Sequence, residues 1–305
     1  MFNTNEVVLK DLDYIHECLT GHHDKLSGAT VIMTGCGGFL GFYMMQYLVS
    51  YASKLGIKKV IGLDSFILGK SGWLIELEQS FPTVLKLYDF DISKDKIDEL
   101  ESVSEVDFVI HAASIASPIF YRQYPLETLD ANIWGLRQLL DFYNRDSLKG
   151  FLFFSSSEIY GDPAPDMIPT DEEYNGNVSC NGPRACYDES KRFGETMCSI
   201  YAQQFNMPIT IARPFNNYGP GMRLTDRRLP ADFAKAVING NDIAILSDGT
   251  PTRTFCYVAD AVVGYFFCLF HGKYDYFNIG TETPEISVKA VAEIYVQKAK
   301  EILNL

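Results

Sequence analysis

The most informative run of residues in the chain is Ala29-Thr30-Val31-Ile32-Met33-Thr34-Gly35-Cys36-Gly37-Gly38-Phe39-Leu40-Gly41. Its first part is apolar and β-branched and predicts a buried strand, and an apolar helix is expected from Phe42 onward. Gly35 suits a tight turn, Gly38 suits close approach of the backbone to a phosphate, and Gly41 suits close packing of helix on strand. A strand, a glycine turn and a helix in this order predict a dinucleotide site, with the pyrophosphate at the helix N-terminus.

The next predicted strand supplies the second half of this signature. Residues 58–63 are strand-like and end at Asp64. In dinucleotide-binding folds an acidic residue at this point accepts a hydrogen bond from the ribose 2′-hydroxyl. Because a carboxylate would repel a 2′-phosphate, the sequence predicts NAD rather than NADP as the cofactor.

Strand-like and helix-like segments then alternate along the chain. Three further strands are predicted, at Val84–Tyr88, Val106–His111 and Gly150–Ser155, with helical stretches such as Leu126–Tyr143 between them. This alternation predicts an α/β fold with a doubly wound parallel sheet, the Rossmann type. Ligands bind such sheets at the carboxyl ends of the strands, so the polar residues that end these segments are candidate site residues.

A phenol and an ammonium group are spaced one helical turn apart in the second half of the chain. Tyr187 and Lys191 form an i,i+4 pair, so on a helix they share a face. A neighbouring cation favours the phenolate of a tyrosine, which would give a base usable near neutral pH. By spacing alone, the same pair also fits an ordinary exposed helix face.

Composition excludes several classes of protein. The chain has 305 residues, of which 47% are hydrophobic, and its formal net charge of −13 argues against a general nucleic-acid-binding protein. Its seven cysteines lack close CxxC or Cys/His spacing, so we expect reduced thiols in the cytoplasm and no metal site. Residues 1–27 lack the features of a signal peptide, and the longest apolar run, Ala261–Phe270, is shorter than the ~18 residues that span a bilayer. We therefore expect no membrane association.

In its motifs and their order the chain resembles the extended short-chain dehydrogenase/reductases that remodel nucleotide sugars. The resemblance runs from Thr34 to about Gly280. It is carried by the glycine turn Thr34–Gly41, by Asp91-Ile92, by Asn132–Leu140, by Ser155-Ser156-Ser157-Glu158-Ile159-Tyr160-Gly161, and by Tyr187 and Lys191.

The resemblance implies roles for individual residues. The implied catalytic residues are Ser156, Glu158, Tyr187 and Lys191, with Glu158 at the position of an additional acid/base in members that eliminate or decarboxylate. The implied cofactor-binding residues are Gly35, Gly38, Phe39, Leu40, Gly41, Asp64, Asp91, Ile92, Ala112, Tyr187 and Lys191.

Within this family, two stretches look most like the UDP-glucuronate decarboxylases. One is Gly182–Arg192, which contains the phenol and the lysine, and the other is Ala116–Tyr121. The implied substrate is a nucleotide-diphosphate sugar. The residues implied to bind it are Ser117, Tyr121, Asn216, Arg228 and Arg253, of which the arginines suit phosphate through their forked donors.

One departure leaves alternatives open. In the decarboxylases the chain continues beyond the helix expected at Ile286–Leu303, and that segment supplies an arginine near the substrate carboxylate. Here the sequence ends at Leu305, so we expect either that it is shortened or that the protein manages without this arginine. A nucleotide-sugar 4,6-dehydratase or 4-epimerase with the same Ser, Glu, Tyr and Lys set is the alternative. A non-enzymatic module that binds NAD or a nucleotide sugar is a third hypothesis.

The sequence also predicts the organisation of the chain. We expect a helical N-terminal extension at 1–27, an NAD-binding Rossmann domain at 28–213 plus 253–272, and a smaller C-terminal nucleotide-sugar-binding part at 214–252 plus 273–305. The family resemblance further implies a homodimer, in which the helices predicted at Leu126–Tyr143 and Pro183–Phe205 pair with their copies.

Overall fold

The computed structural model describes residues 5–303. Residues 1–4 of the predicted N-terminal extension and residues 304–305 of the predicted sugar-binding part therefore lie outside the described residues. The helices are α1 (Glu6–Cys18), α2 (Phe39–Ser50), α3 (Ala52–Leu55), α4 (Gly72–Ser80), α5 (Pro118–Gln123), α6 (Pro125–Asp130), α7 (Leu136–Tyr143), α8 (Ala185–Phe205), α9 (Leu229–Ile238), α10 (Val258–His271) and α11 (Val288–Leu303). The strands are β1 (Thr30–Thr34), β2 (Lys59–Asp64), β3 (Leu85–Asp89), β4 (Phe108–His111), β5 (Gly150–Phe154), β6 (Ile209–Pro214), β7 (Asn217–Tyr218), β8 (Thr252–Arg253), β9 (Cys256–Tyr257), β10 (Asp275–Ile279) and β11 (Ile286–Ser287).

Seven strands form one parallel sheet in the order β10-β6-β5-β4-β1-β2-β3. The first strand lies centrally, and the chain winds outward from it in both directions, which confirms the predicted doubly wound fold. Thr34 pairs with Leu63 on one side and with His111 on the other. The carboxyl ends of the central strands therefore meet at one edge of the sheet, where a site is expected.

Helices cover both faces of the sheet. On one face α1, α2 and α10 pack in a common core with β1, and Val8, Leu12 and Ile15 of α1 are buried there. On the other face α7 and α8 pack against the central strands. The central strands have no solvated face, and for this reason their sequences are apolar runs rather than alternating ones.

The predicted long helix at Leu126–Tyr143 is present but not uniform. Helices α6 and α7 are joined by a π-helical turn, Ala131–Gly135. A built Cβ on Gly135 would lie 2.7 Å from the side chain of Ile92, so a glycine is needed for this turn to lie close to the segment after β3.

A smaller core lies outside the two faces of the main sheet. Phe233 of α9 packs with Val291 and Ala292 of α11, and β8 pairs with β11 in antiparallel orientation nearby. Residues 275–279 differ from the predicted organisation. The sequence assigns them to the smaller part, whereas they form β10, the edge strand that pairs with β6 in the main sheet.

No helix within residues 5–303 is both long enough and apolar enough to cross a membrane.

Candidate active site

In the glycine turn between β1 and α2, the backbone of two glycines packs directly against the backbone of other residues. Gly35 has a φ of +71°, and a built Cβ there would lie 2.6 Å from the carbonyl oxygen of Ala112 at the end of β4. A Cβ on Gly41 would overlap the carbonyl of Cys36. Helix α2 begins at Phe39, three residues before the predicted Phe42, and its N-cap residue Gly38 makes no side-chain capping hydrogen bond.

Asp64 ends β2 beside this turn. Its two carboxylate oxygens accept hydrogen bonds from the backbone N–H of Gly37 at 2.9 Å and of Phe66 at 2.8 Å. Burial raises the pKa of Asp64, and these two N–H groups oppose that shift. The carboxylate is thus held by two backbone N–H groups, one in the glycine turn and one just after Asp64.

A cavity of about 820 Å³ opens at the carboxyl ends of the strands. The structure brings together the residues predicted from the sequence, because all of them line this cavity. They are Gly35, Gly38, Phe39, Leu40, Gly41, Asp64, Asp91, Ile92, Ala112, Ser117, Tyr121, Ser156, Glu158, Tyr187, Lys191, Asn216, Arg228 and Arg253. Their individual roles remain predictions.

Tyr187 and Lys191 lie on α8 and are both buried, at 6% and 2% exposure. Nζ of Lys191 donates a 2.7 Å hydrogen bond to the carbonyl of Phe154 at the end of β5 and lies 5.9 Å from the centre of the Tyr187 ring. The helix therefore presents the pair to the sheet edge, and the alternative of an ordinary exposed pair does not hold.

The electrostatics of this pair differ from the sequence expectation. Burial raises the pKa of Tyr187 to about 12, although a hydrogen bond with Ser156 opposes the shift. Burial likewise lowers the pKa of Lys191 to about 7. Each charged form loses solvation in the apolar interior, and this loss is the largest cause of both pKa shifts. In this structure the lysine does not make the tyrosine a base near neutral pH.

Glu158 stands at the mouth of the same cavity and is paired with an arginine. The guanidinium of Arg184 donates a hydrogen bond from Nη2 to Oε2 of Glu158, and its Nε lies 3.4 Å from Oδ2 of Asp188. Burial raises the pKa of Asp188 to about 6, against the opposing effect of Arg184. Sequence reasoning assigned no role to Arg184 or Asp188. Their i,i+4 spacing was visible, but the reach to Glu158 was not.

The aromatic ring of Tyr121 covers Tyr187. The two rings are stacked with their centres 5.3 Å apart, and the Tyr121 hydroxyl is buried without a hydrogen-bond partner among the described residues. Ser117, just before α5, donates its hydroxyl to the carbonyl of Asp226. This bond ties the start of α5 to the loop that precedes α9.

Arginines line the side of the cavity that faces the smaller core. The guanidinium of Arg228 pairs with the carboxylate of Asp226 and lies 5.8 Å from the ring centre of Phe39. Arg253 is exposed and donates to the carbonyl of Thr252. Asn216 is also exposed and donates its amide to the carbonyl of Thr254.

A further arginine, which sequence reasoning missed, joins the two sides of the cavity. Arg223 donates hydrogen bonds to the carbonyls of Leu68 and Gly69 and to the hydroxyl of Ser71. It therefore binds the loop that follows Asp64. Nothing in the local sequence predicts this contact, because its partners lie 152–155 residues away in the chain.

Asp91 and Ile92 follow β3 at the far end of the cavity. The Asp91 carboxylate accepts hydrogen bonds from Ser93 and Lys94. Ile92 packs under the π-helical turn at Gly135. Within residues 5–303, no group of three or more His, Cys, Asp or Glu side chains could hold a metal ion.

Comparison with known proteins gives this geometry a context. The profile of the "NAD dependent epimerase/dehydratase family" matches residues 31–280. UDP-glucuronic acid decarboxylase 6 of Arabidopsis thaliana is 34% identical over 238 residues, which are 78% of this chain and 65% of that protein. The chain therefore covers less than two thirds of this relative's own length.

Solved structures share the fold at lower sequence identity. The UDP-glucose 4-epimerase of Thermotoga maritima superposes with a TM-score of 0.73 at 23% identity, covering 88% of this chain and 82% of that one. A dTDP-glucose 4,6-dehydratase of Streptomyces venezuelae superposes with a TM-score of 0.71 at 20% identity, covering 88% and 80%.

Proposed function

Because the chain belongs to the NAD dependent epimerase/dehydratase family, its cofactor is NAD, and we propose that it is a nucleotide-sugar lyase of the UDP-glucuronate decarboxylase type. One observation carries the proposal. A hydroxyl, a phenol and a carboxylate, from Ser156, Tyr187 and Glu158, line the same cavity as the glycine turn and Asp64. A binding module would need the turn but not these three groups together.

The residues present fit a dinucleotide. The missing Cβ atoms let Gly35 pack against the backbone of Ala112 and Gly38 against the carbonyl of Gly35. The tight turn so formed leads into the N-terminus of α2, where a pyrophosphate would bind. Asp64 would accept from the adenosine ribose, and Asp91 with Ile92 would contact the adenine. The nicotinamide end would lie against the group formed by Ala112, Tyr187 and Lys191.

In the proposed reaction, Tyr187 and Ser156 act on the same oxygen of the sugar. NAD, when bound, supplies the hydride acceptor and a positive ring whose charge favours the phenolate of Tyr187. Tyr187 takes the proton of the sugar C4 hydroxyl, and Ser156 donates a hydrogen bond to the same oxygen. The C4 ketone so formed lies β to the C6 carboxylate, which leaves as carbon dioxide. The enolate left behind is protonated at C5, and C4 is then reduced.

We propose that the arginine-lined side of the cavity binds the sugar nucleotide. The sequence predicts the sugar-binding part at 214–252 and 273–305, from which β10 is excluded because it belongs to the main sheet, and Arg253 directly follows the first of these ranges. Arg253 and Arg228 would pair with the diphosphate, and Asn216 would contact the sugar or its phosphate. Ser117 and Tyr121 would lie against the sugar beside Tyr187.

A 4,6-dehydratase is the second candidate, because Glu158 lines the cavity beside Tyr187 and could remove the C5 proton so that water departs from C6. The Glu158→Gln variant separates the two reactions. A dehydratase variant would still oxidise C4 and would accumulate NADH with a 4-keto sugar. A decarboxylase variant would keep more activity on UDP-glucuronate, because loss of carbon dioxide needs no proton removal at C5, and it would fail mainly in returning a proton to C5. Release of carbon dioxide by the variant therefore distinguishes the decarboxylase from the dehydratase.

Product masses test the proposal directly. We would incubate the protein with NAD and with UDP-glucuronate, UDP-glucose or dTDP-glucose in turn. Loss of carbon dioxide from UDP-glucuronate is the expected result. Loss of water from a glucose-bearing nucleotide would support the dehydratase instead, an isomer of unchanged mass would support a 4-epimerase, and binding without turnover would support a non-enzymatic module.

We propose that the protein is a homodimer formed through α6, α8 and the π-helical turn. These packed elements expose large apolar side chains, with Leu126 at 68%, Trp134 at 64% and Phe193 at 49%. Light scattering should give twice the chain mass, and Trp134→Glu combined with Phe193→Glu should give the single chain mass. Leu246→Glu changes an apolar side chain that is 92% exposed elsewhere and should leave the dimer intact. A wild-type protein that stays monomeric at micromolar concentration would contradict this proposal.

We also propose a cytoplasmic protein that works in polysaccharide biosynthesis, where the decarboxylated nucleotide sugar would serve as a glycosyl donor. The seven cysteines are free thiols, as in a reducing compartment. The net charge of −13 supports a partner set without nucleic acid. Cell fractionation that places the protein outside the cytoplasm would contradict the location.

A further inference from the structure

Arg184 forms a bridge between two carboxylates at the mouth of the cavity. We call the set Asp188, Arg184 and Glu158 the Arg184 bridge. Arg184 precedes the first residue of α8, and Asp188 lies one turn further along the same helix. Glu158 comes from a different segment, the 3₁₀ turn that follows β5. The bridge therefore joins the segment of Ser156 to the helix of Tyr187.

The bridge has a buried end and an open end. The side chain of Asp188 is 10% exposed, whereas the side chains of Arg184 and Glu158 are 38% and 40% exposed. Asp188 thus anchors the guanidinium from the protein side. The guanidinium in turn reaches Glu158 over the cavity, which both residues line.

Little else fixes the carboxylate of Glu158. Its backbone N–H donates to the Ser156 hydroxyl at 3.2 Å, which orients the main chain. The side chain of Glu158, by contrast, accepts a hydrogen bond from Arg184. A half-exposed glutamate held on one side by a forked donor has its orientation set by that donor.

We propose that Arg184 is a positioning residue that holds Glu158 where its carboxyl group can exchange a proton with C5 of the sugar. This inference rests on the proposed function. After C4 is oxidised by NAD, the C5–C6 bond breaks, its electron pair enters the C4–C5 enolate, and carbon dioxide leaves. A proton must then return to C5, and Glu158, whose side chain is 40% exposed, is placed to take one from solvent water and deliver it. Arg184 touches neither reacting carbon in this scheme and acts through Glu158.

The experiment compares Arg184→Gln, which removes the charge, with Arg184→Lys, which keeps it. Wild type and Lys298→Gln are the references, since Lys298 forms an exposed pair with Glu301 outside the cavity. Each protein is given NAD and UDP-glucuronate, and turnover and NADH absorbance are followed. A crystal structure of Arg184→Gln gives the position of Glu158 independently of activity.

We expect Arg184→Gln to lower kcat by about 10–100-fold, with KM changed less than about threefold. NADH should accumulate during its turnover, because oxidation at C4 proceeds while the step at C5 is slow. Arg184→Lys should recover part of kcat, and Lys298→Gln should match wild type. In the crystal structure the Glu158 side chain should move while Ser156 and Tyr187 stay in place.

Three results would overturn the inference. An unchanged kcat in Arg184→Gln would show that the bridge is not used, and a raised KM at unchanged kcat would show that Arg184 binds substrate instead. An unmoved Glu158 in the variant structure would exclude the positioning role. Failure of the proposed function has a different signature, since wild type itself would then release no carbon dioxide. If wild type releases water from a glucose-bearing nucleotide, the same NADH accumulation in Arg184→Gln tests the bridge on that substrate.

Discussion

The two sides of the cavity are built in different ways. On the side of the glycine turn, the site consists of backbone groups and of Asp64, whose carboxylate is held by two backbone N–H groups. On the opposite side, the site consists of long side chains such as Arg184 and Arg228, each held by another side chain. Both sides join segments that are distant in the chain, since Asp64 meets Gly37 across 27 residues and Arg184 meets Glu158 across 26. They differ in that contacts of the first kind use main-chain groups, whereas contacts of the second kind need particular side chains.

This difference predicts different consequences of mutation. Changes at the glycine-turn side should weaken cofactor binding, and changes where the two sides meet should slow turnover while binding persists. Single substitutions on either side can test this division.

Tyr187→Phe should lower turnover on UDP-glucuronate by about a thousandfold, because the phenol is the proton acceptor in the oxidation of C4. Binding of NAD and of the nucleotide sugar, measured by calorimetry, should stay nearly unchanged. The control is Tyr143→Phe, which removes another buried phenol hydroxyl, outside the cavity. Full wild-type turnover by Tyr187→Phe on every accepted nucleotide sugar would refute the role of Tyr187 as the proton acceptor.

Gly35→Ala should weaken NAD binding by about a hundredfold, since a side chain at a φ of +71° is strained and its Cβ would press on Ala112. Gly21→Ala is the matched control, because a built Cβ there meets nothing within 4 Å. Calorimetric titration with NAD measures both variants. Wild-type affinity in Gly35→Ala would mean that the turn does not form the cofactor site.

Asp64→Ala should weaken NAD binding by about 1–3 kcal/mol, the scale of a hydrogen bond to a charged group. Asp242→Ala, which removes an exposed carboxylate outside the cavity, should have no effect. Titration of wild type with NAD and with NADP tests the role of Asp64 more directly. If wild type bound NADP tenfold tighter than NAD, the role given to Asp64 would be wrong.

Lys191 should give a pH-dependent contribution to stability. Its folded-state pKa is lowered by burial to about 7 from 10.5. Between these values the unfolded chain binds more protons, so the free energy of unfolding should rise with pH, by at most about 1.4 kcal/mol per pH unit. Urea unfolding across this window should show the rise in wild type and a smaller rise in Lys191→Met. Equal slopes in the two proteins would show that Lys191 keeps an ordinary pKa, and Lys298→Met serves as the exposed-lysine control.

The distance along the chain over which a contact acts explains how much of the site was predictable from the sequence. The run Ala29–Gly41 predicted a strand, a turn and a helix, because each depends on contacts within a few residues. The spacing of Tyr187 and Lys191 likewise placed them on one helix face. Residues 275–279 were predicted in the smaller part, but they belong to the main sheet, because their place depends on pairing with β6 and not on local composition.

The sequence by itself determined the parallel α/β fold, the glycine turn, the acidic residue at the end of β2 and part of the set of residues that line the cavity. Backbone periodicity and local sterics act over a few residues, so they are visible in the order of the letters. The tertiary structure alone decided that Arg184 is hydrogen-bonded to Glu158 and that Arg223 is hydrogen-bonded to the loop after Asp64. It also decided the electrostatics of the site. The pKa values of Tyr187 and Lys191 follow from burial, and burial exists only once α8 has packed against the sheet.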